Sequence, residues 1–399
     1  MIPVPAVTRE KQAWTQTQRG GSRADRMTTE IVVSIPQFIA TLDISIPAGL
    51  LESLESASRA VTALDLAHGS DLAALSSLLM RTETVASSKI EHIEASIHDY
   101  ARALHGSKAN TSAVAMASAT EATRLLMLAA DSGTITLPDL LHAHKALMAS
   151  DALDAKYAGR LRSVQNWVGG SDYSPRGAEL VPPPPEHVAA LMVDLVTFIN
   201  RDDLPALVQA SIAHAQFETI HPFTDGNGRI GRALVNAILR MRRATSKVVI
   251  PIASALAAHR ASYFQDLERY RSGDAQPIVE RFAHACAVAA TEAMQTARQL
   301  HALGGHWHGL LGRTRSGSAH IRLMQHLMSQ PIITASEVEQ VLGVKTNVAY
   351  LAIDRLLAVG ILSPLTDRKR NQVWAATDLL EELTDLDQRI QERSRLLGP

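Results

Sequence analysis

The sequence predicts a mainly α-helical protein with a winged helix-turn-helix module near its C-terminal end. Of the 399 residues, 46% are hydrophobic but only 4% are aromatic. This composition favours helices packed on helices over a β-sandwich, because strands are usually rich in aromatic and β-branched residues. Apolar residues such as Leu50, Leu54 and Ala57 recur at helical spacing. Near the end of the chain, two short helices joined at Gly343 precede two short extended segments, as in a winged helix.

The organisation along the chain follows from composition and periodicity. The predicted regions are a disordered tail (1–28), an N-terminal helical region (29–110), a helical core (111–303), a linker rich in Gly, His, Arg and Ser (304–318) and the winged helix with a final helix (319–399). Glycines and prolines interrupt the core between Gly159 and Pro185. They predict a β-hairpin or flap, followed by a rigid entry to the next helix.

Charge and cysteine content limit the function classes. Lys and Arg total 39 against 40 for Asp and Glu, so the chain as a whole is not a nucleic-acid or anionic-membrane binder. The lone Cys286 lies in an apolar run and allows no intramolecular disulfide, which suggests a reducing compartment. Neither a signal pattern nor an apolar run long enough to span a membrane is evident. We therefore expect a cytoplasmic protein with no membrane partner.

The most informative segment is His221–Arg232, with the sequence HPFTDGNGRIGR. Pro222 ends the preceding helix, and Gly226, Asn227 and Gly228 all tolerate positive φ. Such a turn points successive backbone N–H groups into one concavity. The apolar residues that follow predict a helix, whose N-terminus favours anions. The segment therefore predicts a phosphate-binding site.

The side chains of this segment indicate nucleotide chemistry. Arg229 and Arg232 lie one helical turn apart, so both guanidinium groups can reach one polyphosphate. Asp225 offers a carboxylate for Mg²⁺, which proteins usually bind with one carboxylate and phosphate oxygens. His221 can accept a proton near neutral pH. Together they predict a general base beside a Mg-nucleotide site.

Each feature of this segment also has a structural interpretation. A glycine turn, two helical arginines or a lone histidine is each more often structural, but their conjunction within twelve residues favours function. A Walker-type P-loop is excluded because no Gly-Lys-Ser/Thr follows the glycines. A zinc site from His214, His221 and Asp225 is conceivable, although this spacing matches no strong ligand pattern.

The segment resembles the signature of the Fic (filamentation induced by cAMP) family, His-x-Phe-x-(Asp/Glu)-Gly-Asn-Gly-Arg-x-x-Arg, at every defined position. Gly159-Arg160 with Gln165–Gly170 resembles the flap of the family, and Val181–Pro185 resembles its proline run. Ile35-Pro36 and the C-terminal winged helix resemble a common bacterial subgroup. The resemblance covers residues 30 to 380 and implies a Fic-type helical bundle.

The resemblance implies a protein adenylyltransferase that moves AMP from Mg-ATP to a Tyr, Thr or Ser hydroxyl of a target protein or of itself. His221 would deprotonate that hydroxyl, and Asp225 would bind Mg²⁺. The implied nucleotide contacts are Gly226, Asn227, Gly228, Arg229, Ile230, Gly231, Arg232 and, in the adenine pocket, Tyr263. The implied target-docking residues of the flap are Gln165, Asn166, Trp167 and Val168.

A second resemblance implies inhibition. Ser87 and Glu91 share one face of a predicted helix, which by itself indicates only a solvated surface. The segment also resembles the inhibitory motif (Ser/Thr)-x-x-x-Glu-(Gly/Asn), whose Glu pairs with the second arginine of the signature, here Arg232. His92 stands where the motif has Gly or Asn. Some relatives use the same glutamate to remove AMP, so Glu91 implies either an inhibited transferase or a de-AMPylase.

The C-terminal module leaves further functions open. Its second helix offers Lys345, Asn347 and Arg355, and the turn at 367–371 is basic, so DNA is a candidate partner. The module is alternatively a packing or homodimerisation element, since relatives of this type often dimerise. A nucleotide-sensing DNA-binding regulator would need no base such as His221. A transferase for another phosphate donor is disfavoured, because two arginines suit a triphosphate.

Overall fold

The computed structural model describes residues 1–16, 19–66, 72–106, 108–151, 154–315, 317–366 and 372–398. These residues form a mainly helical protein, as the sequence predicts, with sixteen α-helices and five short strands. The chain divides into two compact units. The first comprises Met1–Ser56, Glu121–Ala244 and His259–Ala283, and the second comprises Ala57–Thr120, Thr245–Ala258 and His284–Pro399.

The secondary structure is as follows. The helices are α1 (Arg23–Arg26), α2 (Ala48–Leu66), α3 (Leu72–Ile90), α4 (Ile97–Leu104), α5 (Thr111–Ala130), α6 (Leu137–Met148), α7 (Pro185–Ile199), α8 (Ala206–Ile220), α9 (Asn227–Met241), α10 (Ile252–Ala258), α11 (Arg260–Arg271), α12 (Gln276–Leu311), α13 (Ala319–Ser329), α14 (Ala335–Leu342), α15 (Thr346–Ala358) and α16 (Thr377–Leu397). The strands are β1 (Thr8–Ala13), β2 (Glu30–Ile35), β3 (Ile332–Thr334), β4 (Ser363–Pro364) and β5 (Val373–Ala375).

The centre of the first unit is α8. Every residue from Leu207 to Ile220 is buried, as expected for a helix that is mostly apolar all round. Helices α7 and α9 pack against it. Gly231 permits the close approach of α9, because a Cβ there would lie 2.4 Å from Oε1 of Glu218 and 3.1 Å from Cδ1 of Phe217. Helices α8 and α9, which flank the signature loop, are therefore in direct contact.

The N-terminal segment differs from the disordered tail predicted for residues 1–28. It contains β1 and α1, and the side chain of Ile2 is fully buried. Strand β1 pairs with β2 in antiparallel register, with Thr8 opposite Ile35. The sequence of β1 is polar and shows no amphipathic pattern. Its order comes from pairing with a partner seventeen or more residues away, which local composition does not reveal.

The linker predicted at 304–318 is largely helical. Helix α12 continues through Gly304, Gly305 and Gly309 to Leu311. Trp307 is 0% exposed and Leu311 2% exposed, so the helix buries large apolar side chains at helical spacing. This burial offsets the cost of about 1 kcal/mol that each glycine imposes on a helix interior.

The C-terminal module contains α13, β3, α14, α15, β4 and β5 in that order. Its strands form an antiparallel sheet with the order β3-β5-β4. The two helices and the paired strands β4 and β5 follow in the predicted order, with β3 as an additional strand, and the winged-helix assignment stays a prediction. Gly343 ends α14 with a φ of 62°, at the predicted turn. The basic turn at 367–371 lies outside the described residues, and DNA binding stays a prediction.

One helix departs from the expectation that no apolar run is long enough to span a membrane. Helix α5 is long and apolar enough by length and composition, with a mean hydropathy of 1.2 over its most apolar window. The expectation was wrong in this respect. Within that window 44% of the residues are buried. The core helix of a soluble protein has the same length and composition, so this helix alone is weak evidence for a membrane span.

Candidate active site

His221 ends α8 in a left-handed backbone conformation, with φ 49° and ψ 61°. Its N–H donates to the carbonyl of Phe217 at 2.9 Å, and Pro222 follows and prevents the helix from continuing. The imidazole side chain is 17% exposed, and its Nδ1 lies 3.9 Å from Oε2 of Glu218. A left-handed non-glycine residue costs about 1–2 kcal/mol. Such strain is typical of functional positions that their surroundings hold in place.

The side chain of Arg162 holds this helix end. Its Nε donates to the carbonyl of His221 at 2.8 Å. Its Nη2 donates to the carbonyls of Pro183 at 2.5 Å and Ile220 at 3.3 Å. Its backbone N–H donates to the carbonyl of Pro222 at 2.9 Å. The cation thus satisfies carbonyls at the negative end of α8. Burial lowers the pKa of Arg162 to about 10, which leaves it charged at neutral pH.

The amide of Asn227 closes the signature loop. Its Oδ1 accepts from the N–H of Phe223 at 2.9 Å, and its Nδ2 donates to the carbonyl of Phe223 at 2.8 Å. Of the three residues expected to tolerate positive φ, only Gly226 adopts it, while Asn227 and Gly228 begin α9. A Cβ at Gly226 would lie 2.7 Å from Cδ2 of Leu147. The amide groups of the first turn of α9 have no intrahelical acceptor and are suited to an anion.

His144 of α6 packs against the loop and was not predicted as a functional residue. Its ring stacks on Phe223 with 3.7 Å between ring centroids and 3° between planes. The N–H of Gly159 donates to its Nδ1 at 3.0 Å, so Nε2 carries the proton and donates to the carbonyl of Asp225 at 3.0 Å. Burial lowers the pKa of His144 to about 4, and the ring is neutral at physiological pH.

The two signature arginines have different environments. Arg229 is 6% exposed, and its Nη2 lies 3.1 Å from Oδ2 of Asp225, a side chain that is 55% exposed. Arg232 is 1% exposed. Ile230 is also buried and Gly231 contacts α8, so both contribute to helix packing. The structure brings Arg229 and Asp225 together, whereas nucleotide contacts by Arg232, Ile230 and Gly231 stay predictions.

The flap is held to the loop by side chains more than by a strand ladder. Nε2 of Gln165 donates to the carbonyl of Pro182 at 2.9 Å, and Nδ2 of Asn166 donates to that of Phe223 at 2.9 Å. Within the described residues, the predicted hairpin is reduced to one bridge, Val168 to Leu180.

Two glycines limit the strand pairing of the flap to one residue pair, and a tryptophan of the flap packs against the N-terminal segment. Gly169 and Gly170 take φ values of 71° and 75°, which end the ladder after a single pair. Trp167 packs edge-on against Trp14, with 5.6 Å between ring centroids. The N-terminal segment therefore packs against the flap.

Tyr263 belongs to α11 and contacts His214 of α8. It is 1% exposed, and its hydroxyl is 2.8 Å from Nε2 of His214, whose Nδ1 would be 3.2 Å from a Cβ at Gly231. The structure does not bring Tyr263 to an open surface, and its contact with adenine stays a prediction. Among the described residues, no cluster of three or more His, Cys, Asp or Glu suits a metal ion.

The segment that resembles the inhibitory motif lies in the second unit. Helix α3 ends at Ile90, so Glu91 follows the helix instead of lying within it. Ser87 is 5% exposed. His92 has a φ of 58°, and the N–H of Ile93 donates to the carbonyl of Ser88 at 3.0 Å. This is a helix C-cap of the Schellman type. The left-handed position explains why the motif has Gly or Asn where this chain has His92. Inhibition by Glu91 stays a prediction.

The segment that contains the signature loop is similar to known proteins. Residues 134–239 match the Fic/DOC family. The chain is 31% identical over 156 residues to the protein adenylyltransferase fic-1 of Caenorhabditis elegans, and 34% identical over 155 residues to the protein adenylyltransferase Fic of Drosophila grimshawi. These alignments cover 38% of this chain but only 27% and 28% of the two relatives. The chain thus spans less than a third of either relative.

Solved structures show the same fold. A Fic family protein from Desulfovibrio desulfuricans aligns with a TM-score of 0.54 and 22% identity, covering 83% of this chain and 97% of that one. A Fic domain containing signaling protein from Bacteroides thetaiotaomicron aligns with a TM-score of 0.51 and 19% identity, covering 62% and 97%. Residues 134–239, which contain the signature loop, thus match the Fic/DOC family, and solved Fic proteins share the fold around them.

Proposed function

We propose that the protein transfers AMP from Mg-ATP to a hydroxyl group of a target protein or of itself. The observation that carries the proposal is the loop between α8 and α9. His221 lies at one end of this loop and the N-terminus of α9, whose free N–H groups suit an anion, at the other, and Arg229 pairs with Asp225. The similarity to relatives named protein adenylyltransferases supports the same activity.

Each group then has a defined task. The amide groups at the start of α9, together with Arg229 and Arg232, bind the phosphates of ATP. The target hydroxyl loses its proton to the imidazole of His221 as its oxygen attacks the α-phosphorus. The bond between the α-phosphorus and the bridging oxygen breaks, and pyrophosphate leaves. Arg162 and His144 keep the loop in position for this attack.

The residues present fit a magnesium ion. Asp225 offers a carboxylate that is 55% exposed, and Mg²⁺ typically takes one or two carboxylates together with phosphate oxygens. When bound, Mg²⁺ would neutralise charge on the phosphates. The ion pair with Arg229 orients the carboxylate at the mouth of the loop.

The proposal is tested with His221→Ala. We expect this variant to lose the AMP mass increase that the wild type produces on itself or on proteins incubated with Mg-ATP, because the base is gone. His142→Ala is the matched control, since His142 is an exposed histidine of α6. Equal labelling by His221→Ala and wild type, measured by intact-mass spectrometry, would reject the proposed role of the imidazole.

We further propose that Glu91 inhibits this transfer. The support is the resemblance of Ser87–Glu91 to the inhibitory motif. We expect Glu91→Gly to raise the rate of AMP transfer at least about tenfold, the scale of 1.4 kcal/mol. Glu94→Gly is the control, because Glu94 is an exposed glutamate of the same segment. Equal rates for Glu91→Gly and Glu94→Gly would remove inhibition from the proposal.

A further inference from the structure

Helix α3 of the second unit carries a buried arginine that has no ion-pair partner among the described residues. Arg81 is 9% exposed, and its Nη2 donates to Oε1 of Gln330 at 3.0 Å. Gln330 is uncharged, and this bond uses one of the five N–H donors of the guanidinium group. Burial lowers the pKa of Arg81 from its usual value, but an arginine keeps its charge at neutral pH. The side chain therefore holds a positive charge that no described carboxylate balances.

Two other buried arginines show how such a charge is usually balanced. Arg281 forms an ion pair with Asp266. Arg162 donates to the carbonyls of four residues. A buried charge without such partners is strongly destabilising, because it gives up its hydration and gains little in return. The contrast indicates that Arg81 takes a negatively charged partner from solution.

The carboxylate of Glu337 is close to this region but is used elsewhere. Burial and, to a smaller extent, the charge of Arg81 lower the pKa of His105, whereas Glu337 raises it. Oε1 of Glu337 lies 3.1 Å from Nδ1 of His105, and Oε2 accepts from the N–H of Thr334 at 2.7 Å. Glu337 thus serves His105 and the start of α14, and it forms no ion pair with Arg81.

Arg81 lines a pocket between α3, α13 and α16. The walls are mainly apolar and include Leu78, Met328 and Leu383, while Ser77 adds the only other polar side chain among the described lining residues. The empty space, including the part open to solvent, is about 240 Å³. Within it, a water-sized particle has room for about one copy. The unbalanced charge therefore borders a space that fits one small particle.

The size and the walls of this pocket restrict its occupant. A nucleotide or another organic phosphate exceeds the space. A dianion such as sulfate is strongly hydrated, and the apolar walls offer too few donors to replace its water. A chloride ion is only slightly larger than a water molecule, carries a single charge, and can accept from both a guanidinium group and a hydroxyl group.

We propose that Arg81 and Ser77 form a binding site for one small monovalent anion, with chloride as the ligand. The bound ion balances the charge of Arg81 and links α3 to α13 and α16, which pack against it. All of these elements belong to the second unit, and the site does not depend on the proposed transfer of AMP.

The first test measures the melting temperature of the full chain in mixtures of sodium chloride and sodium gluconate at constant ionic strength. Gluconate is too large for the pocket and serves as the reference anion. We expect chloride to raise the melting temperature by about 2–4 °C and the rise then to level off, as for a site filled at about ten times its Kd. A rise that continues in proportion to chloride is a general salt effect and overturns the proposal. A larger rise with acetate than with chloride contradicts the size argument and also overturns it.

Variants then assign the response to the pocket. Arg81→Met keeps the length of the side chain and removes its charge, so the response to chloride should be lost. Ser77→Leu fills the pocket and leaves the arginine in place, and it should lose the response too. The control is Arg124→Met, which should respond as wild type does, because Arg124 is an exposed arginine that pairs with Glu121. An undiminished response in both pocket variants overturns the proposal.

A direct measurement covers the case in which a pocket variant does not fold. Wild-type crystals grown in sodium bromide should show an anomalous diffraction peak in contact with the guanidinium group of Arg81, because bromide replaces chloride and scatters anomalously. Crystals of the control variant Arg124→Met should show the same peak. The absence of bromide from the pocket overturns the proposal, whatever the melting temperatures show.

Discussion

Two histidines in this protein follow helices in the same left-handed conformation, yet their surroundings differ. His221 follows α8 with a φ of 49°, its side chain is 17% exposed, and its carbonyl accepts from Arg162 at 2.8 Å. His92 follows α3 with a φ of 58°, its side chain is exposed, and backbone hydrogen bonds close its turn. Both conformations carry similar strain. Of these two histidines, only His221 is held by a buried side chain, that of Arg162. Such support is expected where a particular residue type must occupy a strained position.

The largest effect should come from removing the support of His221. Arg162→Met would leave several buried carbonyls without a donor, and we expect the free energy of unfolding to fall by about 3–5 kcal/mol. Arg160→Met is the control, because Arg160 is an exposed arginine two residues away. Urea denaturation measures both. Equal stability of the two variants would mean that Arg162 does not hold the helix end.

A smaller effect should appear in the pH dependence of stability through His144. Because the folded protein has a His144 pKa of about 4, below the usual 6.5, the unfolded chain binds the proton first as the pH falls. The stability from the neutral ring is complete above pH 6.5 and is lost toward pH 4, by up to about 3 kcal/mol. His144→Gln cannot titrate, so its unfolding free energy should fall less between pH 7 and pH 4.5. The same decrease in both proteins, measured by urea denaturation, would contradict this assignment.

The smallest effect should separate the two left-handed histidines. His92→Gly removes the strain, and we expect it to raise the free energy of unfolding by about 0.5–1 kcal/mol, net of the greater freedom of glycine in the unfolded chain. His92→Ala keeps the strain and is the control. His221→Gly should relieve similar strain but abolish AMP transfer. If His92→Gly were no more stable than His92→Ala, strain would not explain the preference of the motif for Gly or Asn.

The loop was largely predictable from sequence because its determinants are contiguous. The proline, the glycines and the two arginines of His221–Arg232 indicate a helix end, a tight turn and an anion site in sequence order. Two residues that support the loop lie far from it in the sequence. His144 bonds to Asp225, 81 residues later, and Arg162 bonds to His221, 59 residues later. His144 did carry a signal, since it shares the apolar face of α6 with Leu140 and Leu147, where a histidine must be buried.

The misjudged segments share a different cause. The polar strand β1 is ordered by its pairing with β2, and the glycine-containing end of α12 by burial of Trp307. Local composition reveals neither the pairing of β1 with β2 nor the packing that buries Trp307. The flap was predicted to be a hairpin. Instead of a strand ladder, it is held by side-chain hydrogen bonds from Arg162, Gln165 and Asn166 to backbone carbonyls. Such side-chain bonds over long sequence separations leave no periodic pattern.

The bonds made by Arg162 have an evolutionary consequence. They all end on main-chain carbonyls, including those of Val164, Pro183 and Ile220, and every residue type has such a carbonyl. Mutations along the flap and the proline run can therefore accumulate while the path of the chain around the histidine is preserved. Arg162 itself, 59 residues before His221 in the sequence, would need to be retained for these bonds to form.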